Sequence, residues 1–151
     1  MRKFYSTIAV LLILLFAIFL LFQISKSRTF QFFGELVYQV NTEQKVVALT
    51  FDDAPTQKVY EVLKILKQKG IKATFYETGK LIEDNQNEAR AIVNAGMEVG
   101  NHSYSHKRMI LKSWSYINDE IQKTNILIHS SGYQKQITFR PPNGKKLFLL
   151  P

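Results

Sequence analysis

At 151 residues the chain has room for one domain with or without an appendage, and 46% hydrophobic with 21% charged residues describes a chain that folds rather than a disordered one. The absence of cysteine excludes disulfides, thiolate metal sites and a cysteine nucleophile. The formal charge of +8 raises nucleic acid as a partner, but residues 1–30 hold four basic and no acidic residues, and the other 16 basic and 12 acidic residues are scattered without interleaved aromatics, so no nucleic-acid partner is expected.

Residues 1–28 start with Arg2 and Lys3 and continue into a charge-free run of 21 residues from Phe4 to Ile24. That length suffices to cross a bilayer core of about 30 Å, and a buried core helix is the weaker reading. Ser25-Lys26-Ser27 has the outline of a small-x-small cleavage site, but the lysine makes it a poor one. An uncleaved anchor is therefore expected, with secretion after cleavage as the alternative. Arg2 and Lys3 are balanced by Lys26 and Arg28 beyond the run. A short tail before a folded body leaves the tail inside, so the expectation is a single-pass cell-membrane protein with its body on the extracellular face.

Residues 29–44 read as a linker and first strand. ELVYQV (35–40) and KVVALTF (45–51) have strand character and flank the polar turn NTEQ. In TQKVYEVLKILKQKG, Val59, Leu63 and Leu66 recur at helical spacing and Gly70 suits the C-terminal cap. KATFYE follows as a strand, NEARAIVNAG as a helix ending at Gly96, and MEVGNHS as a strand. SWSYINDEIQKTNILIHSSG is the next helix and QITFRPP the last strand. One helix in each crossover implies an α/β fold with a parallel sheet, either open or closed into a barrel. In both, chemistry collects at the carboxyl ends of the strands. The polar exceptions of this chain sit there: Asp52-Asp53, His102 with His106, and Arg140.

In NHSYSH, His102 and His106 can reach one cation if the chain turns, although a pair so spaced is by itself more often two surface histidines. A zincin protease is not expected, because Ser103 stands where that pattern needs glutamate. Two imidazoles and one carboxylate with open positions for water match a catalytic zinc or similar divalent site. One aspartate suffices as ligand, which leaves the other as a candidate base; a simple turn cap in DDAP is the competing explanation. A 2-His-1-carboxylate iron oxygenase expects a different ligand order. In FRPPNGKK, Arg140 could orient a carboxylate, and the prolines with Gly144 could aim a main-chain N–H at an oxyanion; a plain strand-exit loop accounts for the same residues. His129 reads as a surface or capping histidine, and Trp114 and Tyr116 as packing residues.

Taken together, TFDDAP, NHSYSH and RPPNG, with GIKATFYETGK and NAGMEVGNHSYSH between them, resemble the ordered motifs of the NodB-type polysaccharide deacetylases, a carbohydrate esterase group. The resemblance spans about residues 45–151 and implies the N-terminal part of a distorted (β/α) barrel with fewer than eight strands. It implies a metal-dependent hydrolase that cleaves the acetamide C–N bond of N-acetylated sugars in cell-wall or chitin-like polysaccharide such as peptidoglycan. By it, Asp52 is the catalytic base steadied by Arg140, and Asp53, His102 and His106 hold a divalent metal, foremost zinc, with cobalt or another divalent ion as alternatives. Pro142 and Asn143 would meet substrate, the Asn143 N–H facing the oxyanion. Ala54 replaces the family's usual glycine, a strain if its φ is positive, and Asn143 replaces an aromatic residue. The family's later motifs, including the Leu-x-His whose histidine is the general acid, are not among these residues, and KKLFLLP reads as the start of a helix. The expectation is accordingly a domain incomplete at its C-terminus, with a catalytically weak or inactive remnant as the alternative.

Overall fold

A computed structural model describes residues 2–27, 29–31 and 35–144. Helix α1 (Arg2–Ser25) carries the apolar run, with exposed side chains from Phe4 to Phe22. Among the described residues it is the one helix long and apolar enough to cross a membrane.

Three parallel strands follow, β1 (Thr50–Ala54), β2 (Thr74–Glu77) and β3 (Glu98–Asn101), adjacent in that order. Between them run α2 (Val59–Lys69), then α3 (Gly79–Asp84) and α4 (Gln86–Asn94); α5 (Trp114–Ser130) comes after β3. On α2, Val59 and Leu66 are buried and Leu63 half-buried, as the helical spacing of apolar residues requires. Ser113 caps α5, its hydroxyl accepting from the Tyr116 N–H at 3.2 Å. The core gathers Phe75 and Val99 from the sheet, Val59, Leu66, Ile82, Ala89 and Ile92 from α2–α4, and Ile128 from α5. Phe51 stacks on Phe75 at 4.9 Å. A second cluster, Met109, Ile117 and Ile121, packs with Tyr116 and Phe139 beneath the loop entering α5.

The pairing of β2 with β3 is regular, but that of β1 with β2 is not. Phe51 pairs with Phe75 and Ala54 with Glu77, so Asp52 and Asp53 together stand opposite the single residue Tyr76. This is a β-bulge, which bends the strand and re-aims its side chains.

Four expectations are revised. The strand expected at 35–40 is not formed: Val37, Tyr38 and Val40 are exposed, and no neighbouring strand among the described residues supplies its hydrogen bonds. Alternating apolar residues favour a strand only where a partner backbone exists. The second strand begins at Thr50 and runs through both aspartates, because its partner β2 begins at Thr74. QITFRPP contributes a single parallel bridge between Asn101 and Phe139, closed by Asn101 N–H to Thr138 O (2.8 Å) and Arg140 N–H to Asn101 O (2.9 Å). Trp114 is 53% exposed and so is not a core residue, whereas Tyr116 packs as expected. Helix α3 was not anticipated, and KKLFLLP lies outside the described residues.

One core position is anomalous. Glu77 is fully buried and neither carboxyl oxygen has a hydrogen-bond partner among the described residues. Burial pushes its pKa from 4.5 up to about 8. The folded protein thus holds a proton that the unfolded chain has released between those values, and stability falls as pH rises through that window. Thermal unfolding of wild type and Glu77→Gln at pH 5 and pH 8.5 checks this. The wild type is expected to lose stability relative to the variant at the higher pH, and Glu77→Leu to gain about 1–3 kcal/mol there.

Candidate metal centre and active site

The carboxyl ends of the three strands and the 138–140 segment bring five of the expected residues together. At β1, the bulge separates the neighbouring carboxylates. Asp52 turns to Arg140, whose Nη1 donates to Asp52 Oδ1 at 2.5 Å and to Thr50 Oγ1 at 3.0 Å. Asp53 has a left-handed backbone (φ 57°) and turns to His106, its Oδ1 lying 3.4 Å from Nε2. Ala54 is not among the residues of positive φ, so its methyl group is accommodated; the left-handed position falls one residue earlier, on an aspartate.

The loop after β3 carries both histidines. Asn101 anchors it, donating from Nδ2 to Ile121 O (2.9 Å) and Asn125 Oδ1 (2.8 Å), while its Oδ1 accepts from the Ser103 N–H (2.7 Å). Ser103 and His106 both adopt positive φ, at 66° and 55°, and the Ser103 hydroxyl accepts from the His106 N–H at 3.1 Å. Strained backbone of this kind persists where surrounding bonds over-determine it.

His102 is 3% exposed, and its Nδ1 lies 2.7 Å from the Arg140 carbonyl oxygen. A carbonyl only accepts, so Nδ1 carries the proton and the Nε2 lone pair is free. Burial pulls the His102 pKa below its ordinary 6.5, against the opposing pull of that hydrogen bond and the Asp52 charge, so the ring is neutral at neutral pH.

One donor atom each from Asp53, His102 and His106 lie within 4.8 Å of one another. Two ligands about 2.1 Å from a tetrahedral ion are about 3.4 Å apart, which matches the Asp53–His106 separation of 3.4 Å. Two imidazole nitrogens, one aspartate oxygen and an oriented second nitrogen on His102 fit a divalent cation. Arg140 completes the site: its guanidinium lies 3.8 Å above the Tyr76 ring, which needs the space that Gly100 leaves. A Cβ at Gly100 would stand 2.5 Å from that ring. Pro142 is buried and Asn143 exposed with φ 59°; no hydrogen bond links either to the other five residues among the described residues. His129 accepts its expected capping place, with Nδ1 2.8 Å from Tyr133 O.

Sequence reasoning missed Glu120. It is buried on α5 and accepts from both the Ser105 N–H (2.9 Å) and hydroxyl (2.8 Å), tying the histidine loop to the helix. The signal was present: buried positions on α5 run Ile117, Glu120, Ile121, Thr124, Ile128, which places a glutamate on the apolar stripe.

A family model described as polysaccharide deacetylase matches residues 39–147. The peptidoglycan-N-acetylglucosamine deacetylase of Bacillus cereus is 39% identical over 103 residues, 67% of this chain and 37% of the relative. Among solved structures, a family 4 carbohydrate esterase from Streptomyces lividans in complex with acetate is 38% identical with a TM-score of 0.63, covering 66% of this chain and 52% of that one. A CE4 family pseudoenzyme from Bacillus anthracis is 40% identical with a TM-score of 0.64, covering 68% and 37%. The chain spans 35–41% of the length of the first three curated relatives it matches. Its mixed α/β architecture with a parallel sheet is that of these neighbours.

Calorimetric titration with zinc is expected to give one site per chain, lost in His106→Ala. Glu120→Gln is expected to weaken zinc roughly 10- to 100-fold while leaving the circular dichroism spectrum of the folded protein unchanged.

Proposed function

Because the chain belongs to the polysaccharide deacetylase family, we propose that it is a metal-dependent N-deacetylase acting on N-acetylated cell-wall or chitin-like polysaccharide. The observation that carries this reading is the Asp53, His102 and His106 donor set within 4.8 Å, beside an Asp52 carboxylate pinned by Arg140 at 2.5 Å. Asp53, His102 and His106 would hold the ion, zinc first among divalent ions for this donor set. Such an ion supplies Lewis-acid polarisation of a carbonyl and lowers the pKa of water.

The chain's own residues supply the rest. Asp52 is the general base that takes a proton from the attacking water, and Arg140 holds its carboxylate at the angle that transfer requires. Arg140 acts on both sides of the site at once, because its carbonyl also fixes the His102 ring. Exposed Asn143 meets substrate, with its N–H as donor to the oxyanion, whereas Pro142, expected to meet substrate too, is buried and can only fix the turn that presents Asn143. As the C–N bond breaks, the departing amine needs a proton, and the Asp52 carboxyl now carries one. Residues 1–28 act as the membrane anchor, placing the deacetylase domain on the extracellular face, where a cell-wall polymer lies; α1 supports this by length and composition.

A second reading, metal binding without turnover, is favoured by the likeness to a pseudoenzyme. Acetate release from N-acetylglucosamine oligomers, with and without added zinc, separates the two. Metal-dependent release is expected, falling about 10²- to 10⁴-fold in Asp52→Asn with zinc affinity retained. Zinc binding without acetate release would establish the second reading.

A further inference from the structure

Between His106 and α5 the chain makes a supported turn that holds an apolar side chain out to water. Met109 packs with Ile117 and Ile121 beneath it, and its carbonyl accepts from the Lys112 N–H at 3.3 Å, which closes the turn. At the tip, Leu111 is 89% exposed, the most exposed large apolar side chain described between residues 50 and 144. Trp114, the first residue of α5, is exposed as well. We propose that this turn docks on the surface of an anionic lipid bilayer, with Leu111 and Trp114 entering the headgroup layer and Lys107, Arg108 and Lys112 lying against lipid phosphates. The proposal rests on the membrane-anchor reading of residues 1–28.

Three observations lead to it. First, the backbone does not call for leucine at the tip. The φ of Leu111 is 59°, a left-handed conformation that glycine or asparagine adopts more readily. Buried Met109 and the Ser113 cap support the turn from both sides, so the leucine is not carried on a loose end. Second, the charge around it has one sign. Lys107, Arg108 and Lys112 are exposed, and residues 99–118 contain no aspartate or glutamate. Carboxylates near the start of the segment are engaged: Asp53 at His106, Glu83 by the Tyr104 hydroxyl at 2.7 Å, and buried Glu120 by Ser105. Asp119 stands five residues beyond Trp114 on α5, about 140° around the helix. A bilayer presents a smooth surface potential, so flexible basic side chains answer to it without a fixed geometry. A lone exposed leucine is ordinary, but leucine and tryptophan among basic residues is the composition of an interfacial segment. Third, the domain is tethered. Helix α1 ends at Ser25 and β1 begins at Thr50, and the chain between them reaches at most about 80 Å. With α1 in the bilayer, a contact too weak to hold a free protein is populated through its high effective concentration. Docking there keeps the Asp53, His102 and His106 cluster close to the membrane, because Lys107 follows His106 directly.

Trp114 is the sole tryptophan of the chain, so its fluorescence reports the turn and α1 is silent. The test reconstitutes the full chain into vesicles of phosphatidylcholine, with or without phosphatidylglycerol, whose acyl chains carry bromine as a quencher. In the anionic vesicles Trp114 emission is expected to move to the blue and to be quenched, and both effects are expected to shrink in phosphatidylcholine alone or in high salt. Lys107→Gln combined with Arg108→Gln is expected to lower the docked-to-free ratio roughly fivefold per charge removed. Leu111→Asn suits the left-handed backbone, so it is expected to keep or raise the thermal midpoint while reducing the quenching. Emission that stays unshifted and unquenched in anionic vesicles overturns the proposal, and so does quenching that ignores both lipid charge and the basic-residue variant. A shift produced by chitotetraose and not by the bilayer assigns the surface to glycan and overturns it too. Alkaline extraction of the same vesicles keeps the two readings apart. A chain stripped by alkali yet quenched at Trp114 before extraction removes only the anchor, and a resistant chain without quenching removes only the docking.

Discussion

Two carboxylates adjacent in sequence repel each other and, on a regular strand, point to opposite faces. One would then be driven toward the core without a partner, at considerable cost. The bulge in β1 resolves this by setting Asp52 and Asp53 together against Tyr76 and turning Asp53 through a left-handed backbone. Each carboxylate thereby reaches its own partner, Asp52 the Arg140 guanidinium and Asp53 the His106 ring. The separation of the two carboxylates onto different partners depends on that one extra residue.

Arg140 is the second constraint, because its groups serve separate parts of the site. Its N–H closes the bridge to Asn101, its carbonyl holds the His102 tautomer, and its guanidinium holds Asp52 while resting on Tyr76. The sheet provides for this with Gly100, whose missing Cβ admits the Tyr76 ring. Helix α5 braces the opposite side through Glu120 and Asn125, so the histidine loop is held from two directions. Bonds that orient candidate donor side chains in this way strengthen the metal binding such a cluster can support.

Glu77 runs against this consistency. It occupies an inward position of β2, alongside Phe75, where a hydrocarbon would be expected, and it survives there by remaining protonated. Its backbone carbonyl nonetheless accepts from the His102 N–H at 2.8 Å, so the anomaly lies directly behind the Asp53, His102 and His106 cluster. Local conflicts with the overall fold tend to gather near functional sites.

The alternation of strand and helix, the cap at Gly70, and the arrival of Asp52, Asp53, His102, His106 and Arg140 at one rim were legible in the sequence, because periodicity and turn chemistry are local. The motifs identified the family for the same reason: they are short and ordered along the chain. The strand at 35–40 was misread, since Val37 and Val40 have strand propensity but no neighbouring backbone to pair with. Helix α3 and the support from Glu120 were overlooked, being settled by contacts between residues far apart in sequence. The sequence by itself determined which donors exist and roughly where they emerge. Only the tertiary structure decided which aspartate meets which partner, because that depends on the register of β1 against β2, a pairing that the composition of neither strand specifies.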